Sequence, residues 1–480
     1  MKITKALLYV ENETVNLRLD VLDALQIIDA ASDNFTICGN AGESIINFKE
    51  IIGRINANKV ELEVSLQSGL QTLDKFKLDE EILIVTIGKQ SDLKIYIANR
   101  IKHNSGEFNW HVINSTYARL GYLSLQKSLS DYIPADTANW LKIQIKKFGA
   151  SIFNDCLKTV KNSSVLILGE TIIDEYIYCD ALGRVTKDPL IAFEKRSHQN
   201  QVGGVLAVAK HFSGLGVNAN VISKWSDQDN DFVVSELKSS KGLNLYNLGS
   251  NNSIRKTRFV DKASNARVFE TYELPTELDY GAPSQEITEL VKKEKINFDQ
   301  VIIMDYGHYF FNHNFAQDYL QFSVPVAVNT QSNAGNRGFN PVSNYIGSDY
   351  VFLNGSEVQV EMRNRVTNVE DIVPELGLKL GCKELYVTNG SAGIVSWSLE
   401  EGVIVAPTFS PTIIDRTGAG DALLAAISSL RMKNVPIEIA TFFGNIAGSL
   451  LVGALGNERS ITLNDLEEEA NKIISKVTSV

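Results

Sequence analysis

The stretch IIDRTGAGDALLAAISSL, residues 413–430, joins a β-branched run to an alanine- and leucine-rich run through Gly418-Ala419-Gly420-Asp421. The second run has the composition of a helix beginning at or just before Asp421. Gly418, Ala419 and Gly420 then stand at its N-terminus, where unpaired N–H groups meet the positive end of the helix dipole. Small side chains let a phosphate come close to those groups. An acid beside an anion site is electrostatically unfavourable unless it serves the chemistry, and accepting a proton from an attacking hydroxyl is such a service. A glycine-rich loop with Asp421 as a plain N-cap fits the same letters. The stretch alone therefore specifies an anion-binding turn and no more.

The chain upstream of it is long and ordinary in composition. Its 480 residues exceed one typical domain, and 44% apolar with 21% charged residues fits a globular protein. A net charge of −11 argues against nucleic-acid or anionic-membrane partners. Cys38, Cys156, Cys179 and Cys382 are scattered with no paired spacing, as for free thiols in a reducing compartment. The apolar run near the N-terminus is too short for a secretory signal and no run reaches membrane-spanning length, so a cytoplasmic location is expected.

From Ser164 onward, short apolar strands alternate with helical patterns: SVLILGE, NANVISKW, QVIIMDYG, VPVAVNT, DYVFLNGSE and ELYVTNG. This rhythm predicts a doubly wound, mostly parallel α/β sheet. Two stretches break it, DEYIYCDALGRVTKDPLIAFEKRSHQ and RKTRFVDKASNARVFETYEL. Their alternation predicts a small β lid over the carboxyl edge of the sheet. Residues 1–160 carry their own strands KALLYV, EILIVTIG and WHVIN, with DVLDALQIIDAAS and SDLKIYIANRIKH as helical patterns between them. We read two domains, an α/β domain over 1–160 and a larger one over 161–480, divided near Lys161 after a long amphipathic stretch.

Taken in order, several motifs resemble the ribokinase-like (PfkB) family of carbohydrate kinases. Its C-terminal signature stands as Asp415, Thr417, Gly418, Ala419, Gly420 and Asp421, and its N-x-x-E motif as Asn354-Gly355-Ser356-Glu357. VTNGSAG, with Thr388, Gly390 and Gly393, matches the nucleotide-side loop, and Asn445 falls in the closing helix beside the adenine. The resemblance covers roughly residues 164–480 and implies a sugar kinase using ATP and Mg²⁺. Asp421 would be the general base, Gly418 to Gly420 the anion hole, and Asn354 and Glu357 the organisers of Mg²⁺ through its waters. Asp415 would support the loop.

At the sugar end the chain is most similar to heptose 7-phosphate kinases. LILGETIIDEYIY follows their Gly-Asp-x-x-x-Asp-x-Tyr pattern with Glu170 in the first acidic place, and implies that Asp174 accepts sugar hydroxyls. Gly203 and Gly204 match a Gly-Gly helix opening, although Ala207 stands where the family has Asn. Lys256 and Arg258, with Arg184 and Lys187, would hold a remote phosphate or simply charge the lid surface. Asp305 and Tyr306 match a strand-end motif in which His308 replaces Lys, and Asp305 is expected at the substrate. Asn329 and Gln331 would read hydroxyls or satisfy a long loop.

The implied acceptor is a heptose phosphate or related sugar at its anomeric hydroxyl. The Ala207 and His308 departures keep open an unphosphorylated sugar or nucleoside, and an idle sugar-nucleotide sensor fits the same motifs. Lids in the family often pair between subunits, so the resemblance allows a homodimer through the β lid while leaving the oligomeric state open. Some heptose kinases are fused to a nucleotidyltransferase with an H-x-G-H motif. His103 and His111 are the histidines before residue 160 and neither forms one. TICGNAGES would at most bind an anion, and assembly, substrate delivery or regulation is the expected role of the region.

Overall fold

A computed structural model describes five strands of the first 134 residues and residues 135–480 except 188–189, 263–265, 277–280, 283, 366, 410–417, 453–458 and 479–480. The strands are β1 (Lys5–Val10), β2 (Asn34–Gly39), β3 (Lys59–Leu62), β4 (Ile82–Ile87) and β5 (Trp110–Asn114). They form one parallel sheet in the order β3-β2-β1-β4-β5. The helical patterns expected between them, His103 and the loop after β2 lie outside the described residues.

The chain separates into two compact units, Met1–Pro134 and Ala135–Val480. The division expected near Lys161 thus falls inside the second unit. The reason is the packing of α1 (Ala135–Phe148) and α2 (Ile152–Thr159). Leu141, Phe153 and Leu157 are buried, Phe153 meets Phe442 edge to face at 4.9 Å, and Lys147 Nζ lies 2.6 Å from the buried Glu438 carboxylate. These helices belong to the core that follows them.

That core is a nine-stranded sheet. β6 (Ser164–Gly169) is apolar and buried on both faces, as a central parallel strand must be. The chain then enters the lid through β7 (Thr171–Arg184) and returns along β8 (Ile191–Gly204). Next come α3 (Val205–Gly214), β9 (Asn218–Ser223), α4 (Asn230–Leu237) and β10 (Leu243–Asn247). A second lid hairpin, β11 (Ile254–Asp261) with β12 (Arg267–Glu273), and α5 (Ser284–Lys293) precede β13 (Gln300–Asp305). There follow β14 (Val326–Thr330), β15 (Tyr350–Asn354), α6 (Gly355–Glu361), α7 (Val369–Leu380), β16 (Glu384–Thr388), β17 (Ile394–Ser398) and β18 (Gly402–Ala406). The chain closes with α8 (Ala419–Arg431), α9 (Ile437–Val452) and α10 (Leu463–Thr478).

The sheet order is β10-β9-β6-β13-β14-β15-β16-β17-β18, parallel through β16 and antiparallel beyond it. From β6 the chain builds outward to β10 on one side and later to β18 on the other. The junction of β6 and β13 is therefore the switch point at whose carboxyl ends such sheets bind ligands. The lid forms a separate sheet, β12-β11-β7-β8, as its alternating sequence predicts. β7 and β11 pair in parallel, with Lys256 opposite Asp174 and Arg258 opposite Tyr176.

Candidate active site

A cleft of about 840 Å³ lies along the carboxyl ends of β6, β13, β14, β15 and β16, under the lid. At its centre α8 begins. Gly418 takes a left-handed φ of 79° as the residue before the helix, a conformation that costs glycine little. A Cβ built on Gly420 would meet nothing within 4 Å, so the backbone faces open cleft. Gly418, Ala419, Gly420 and Asp421 all line it, in the arrangement the sequence predicts for an anion at a helix N-terminus. Asp415 and Thr417 lie outside the described residues.

Burial, with the negative charge of Asp174 nearby, pushes the Asp421 carboxyl up to about 7, while Lys256 draws it back. A carboxylate with this affinity for protons is suited to general-base work near neutrality. Asp174 is 4% exposed, and Arg258 Nη1 stands 2.5 Å from its Oδ1. A Cβ on Gly203 would lie 2.2 Å from Asp174 Oδ2, so that glycine makes room for the carboxylate. Gly204 lines the cleft at φ 59°, and a Cβ there would strike the Glu170 carbonyl oxygen at 2.2 Å. Ala207 is buried in α3 and is not among the cleft-lining residues.

The two lid cations differ in state. Arg258 is committed to Asp174, is 3.5 Å from Glu270, and lies over the Tyr176 ring. Lys256 is 5% exposed, lines the cleft, and has no hydrogen-bond partner among the described residues. Its ammonium sits 5.3 Å from the Tyr272 ring centroid, and burial lowers its pKa despite Asp174. Arg184 and Lys187 are solvent-exposed. Arg267, which no motif singles out, also lines the cleft.

Asp305 is placed differently from expectation. It is 1% exposed and outside the cleft lining, accepting from Gly307 N at 2.8 Å and Tyr345 Oη at 2.8 Å. It shapes the turn after β13. Glu170 works on the same turn: its carboxylate accepts from the backbone N–H of Tyr306, His308 and Phe310 at 3.0, 3.0 and 3.4 Å. Burial, with Asp305 adjacent, raises its pKa. The turn thereby presents Tyr306 to the cleft, with its hydroxyl buried and without a hydrogen-bond partner among the described residues. His308 is buried with Nε2 likewise unpaired among the described residues, and burial, with Lys256 nearby, pushes it down to about 3, so it is neutral at physiological pH. Asn329 and Gln331 both line the cleft, and Asn329 Nδ2 donates to the Phe352 carbonyl at 2.8 Å.

At the other end, Asn354 caps α6. Its Oδ1 accepts from Glu357 N at 2.9 Å while Glu357 Oε2 accepts from Asn354 N at 2.8 Å, a reciprocal capping box. Glu357 Oε1 also accepts from Ser332 N at 3.0 Å, and burial pushes the carboxyl up to about 7. Both carboxylate oxygens already hold backbone N–H groups, so this acid fits a hydrated Mg²⁺ through its waters better than by direct ligation. Among the described residues no cluster of His, Cys, Asp and Glu forms a metal cage.

Thr388, Gly390 and Gly393 line the nucleotide side. Gly393, at φ 91°, would drive a Cβ to 2.1 Å from the Ala406 carbonyl oxygen. Asn445 lines the cleft and donates Nδ2 to the Pro407 carbonyl at 2.6 Å. Gly444 and Gly448 of α9 also face the cleft, and a Cβ on Gly444 would come within 2.6 Å of Ile427. Their four-residue spacing was the available sequence signal for this close α8–α9 contact.

A switch-point cleft with a glycine-led helix N-terminus, a buried carboxylate raised to about 7 and a β lid is the architecture of a phosphotransferase of the ribokinase-like class. The profile described as pfkB family carbohydrate kinase matches residues 162–462, and the chain belongs to that family. Similar curated proteins include the bifunctional protein HldE of a Nitratiruptor species, 25% identical over 316 residues, covering 64% of this chain and 65% of that protein. HldE of Aliarcobacter butzleri is 26% identical over 326 residues, covering 64% of each. The chain thus spans just under two thirds of the length of these relatives. Among solved structures, phosphofructokinase-2 from Escherichia coli superposes with a TM-score of 0.53 at 15% identity, covering 65% of this chain and 99% of that one. A microbiome-derived acarbose kinase gives 0.52 at 17%, covering 64% and 99%. At these identities the structures establish the fold.

Proposed function

We propose that this sugar kinase transfers the γ-phosphoryl group of ATP to a hydroxyl of a heptose phosphate or closely related sugar, the anomeric hydroxyl being the preferred acceptor. The observation that carries the reading is Asp421 beside the Gly418–Gly420 nest, in the same cleft as Asp174. Asp174 and Tyr306 orient the sugar, and Asp421 takes the proton of the attacking hydroxyl. The N–H groups at the head of α8 receive charge developing on the transferred group. Asn354 and Glu357 would hold Mg²⁺ through water, and the ion would neutralise charge on the phosphate oxygens. Lid closure excludes water and disfavours ATP hydrolysis. HldE similarity favours the heptose acceptor.

Pairing of Arg258 with Asp174 and Glu270 favours a second reading, an unphosphorylated sugar, because it leaves less positive charge for a remote phosphate. ATP turnover over matched sugars and sugar phosphates decides between them. Asp421→Asn should lower turnover by about 10²- to 10⁴-fold while retaining ATP binding; unchanged turnover would remove Asp421 as the base. Lys256→Ala should raise KM for phosphorylated sugars selectively, and equal effects on neutral sugars would favour the second reading.

Lid pairing between two copies is part of the proposal. Leu182, Ile191 and Phe269 of the lid are 65%, 63% and 50% exposed, an apolar area that a second lid would cover. Among the described residues no helix is long and apolar enough to cross a membrane. Dependence on ATP, with Cys156, Cys179 and Cys382 unpaired, favours the cytoplasm.

A further inference from the structure

The nucleotide side of the cleft is braced by a helix that precedes the family-matched region. That match begins at residue 162, whereas α1 spans Ala135–Phe148. Thr137 of α1 is fully buried and donates its hydroxyl to the Thr408 carbonyl at 3.1 Å. Thr408 lines the cleft. One turn further along, Trp140 meets Phe409 edge to face at 6.3 Å, and Phe409 meets Phe442 of α9 at 5.2 Å. At the far end of α1, Lys147 is paired with Glu438 in the first turn of α9.

The segment Pro407–Phe409 is therefore held from several sides. Asn445 of α9 takes the Pro407 carbonyl, and Thr137 takes the next one. Gly393 lies against its backbone so closely that a Cβ would sit 2.8 Å from Thr408 N. Asn445, Gly393 and Thr408 all face the cleft, so displacement of this segment alters the wall that meets the nucleotide. A carbonyl fixed by a buried hydroxyl keeps one direction, whereas a part-buried carbonyl that loses this donor can turn toward water.

We infer that α1 is part of the nucleotide site and that Thr137 is a positioning residue, fixing the Pro407–Phe409 wall through the Thr408 carbonyl. The inference rests on the ATP-dependent reading above and assigns a task to a helix outside the shared kinase region. α1 begins directly after the unit Met1–Pro134, so the chain that enters the wall's brace comes straight from that unit.

Calorimetric titration of the full-length protein with MgATP, without sugar, tests it. Thr137→Val, which keeps the shape and removes the donor, should weaken ATP binding by about 3- to 10-fold. Thr137→Ser, which restores the donor, should stay within about twofold of wild type, and sugar KM at saturating ATP should move little in either. Melting temperature is recorded alongside. A Thr137→Val protein that melts lower yet binds ATP like wild type would reduce Thr137 to a stabilising contact and overturn the inference. Equal weakening by Val and Ser would do the same. Wild type that fails to bind ATP would overturn the kinase reading, and this inference with it.

Discussion

Asp421, lining the cleft, and Glu170, buried behind it, show burial put to two uses. Asp421 is raised to about 7 by burial and by Asp174, so its conjugate acid predominates below neutrality and cannot accept a proton. Activity should therefore rise with pH through about 7 and fall on the acid side, measured as kcat/KM for the sugar at saturating ATP. Because Lys256 opposes the shift, Lys256→Met should move this acid limb to higher pH. Glu170 instead collects three backbone N–H groups and holds the turn that carries Tyr306. Glu170→Ala leaves those groups without their acceptor and should cost about 3 kcal/mol or more, read from urea unfolding. The sequence marked Glu170 as an acid after a strand. Its reach to a turn 136 residues away depends on β6 and β13 being neighbours, which no local pattern encodes. The same non-locality explains Asp305, whose strand-end position suggested a ligand contact while Tyr345 and Gly307 claim its oxygens.

At the level of elements, α8 is fastened at both ends. Its N-terminus, Gly418 to Gly420, lines the cleft, and near its C-terminus Arg431 Nε donates to the buried Glu384 of β16 at 2.9 Å. Removing one partner of such a pair strands a buried charge, so Arg431→Met should lose roughly 3–5 kcal/mol of stability by denaturant titration. The helix itself was legible, since its small residues and Asp421 give both start and composition. The central strands were legible for another reason: the runs VLILG and VIIM within them are unbroken by polar residues because both faces are covered. β3, with only the four residues KVEL, offers too few positions for periodicity and was not read. Lys256 and Arg258 stand two residues apart on β11 and so share one face of the lid. Which of the two would be neutralised depends on the parallel β7–β11 register, and Asp174 lies beyond the reach of any short-range pattern.

For the molecule as a whole, the exposed apolar lid residues predict a dimer. Leu182→Glu with Phe269→Glu should shift the protein to monomer in light scattering, leaving melting of the core unchanged; a wild type already monomeric would argue against lid pairing. The anchoring of α1 and α2 has a further consequence, in time. Thr137 and its acceptor are 271 residues apart, and Asn154 bonds Asn471 across 317. At about 5–20 residues per second of synthesis, these helices wait roughly a quarter of a minute to a minute for their partners to leave the ribosome. Through that interval Leu141, Phe153 and Leu157 have no core to enter. Stalled chains that end before α9 should be cut by protease around α1 and α2 and should recruit holding chaperones there, whereas released full-length chains should resist cleavage at the same bonds.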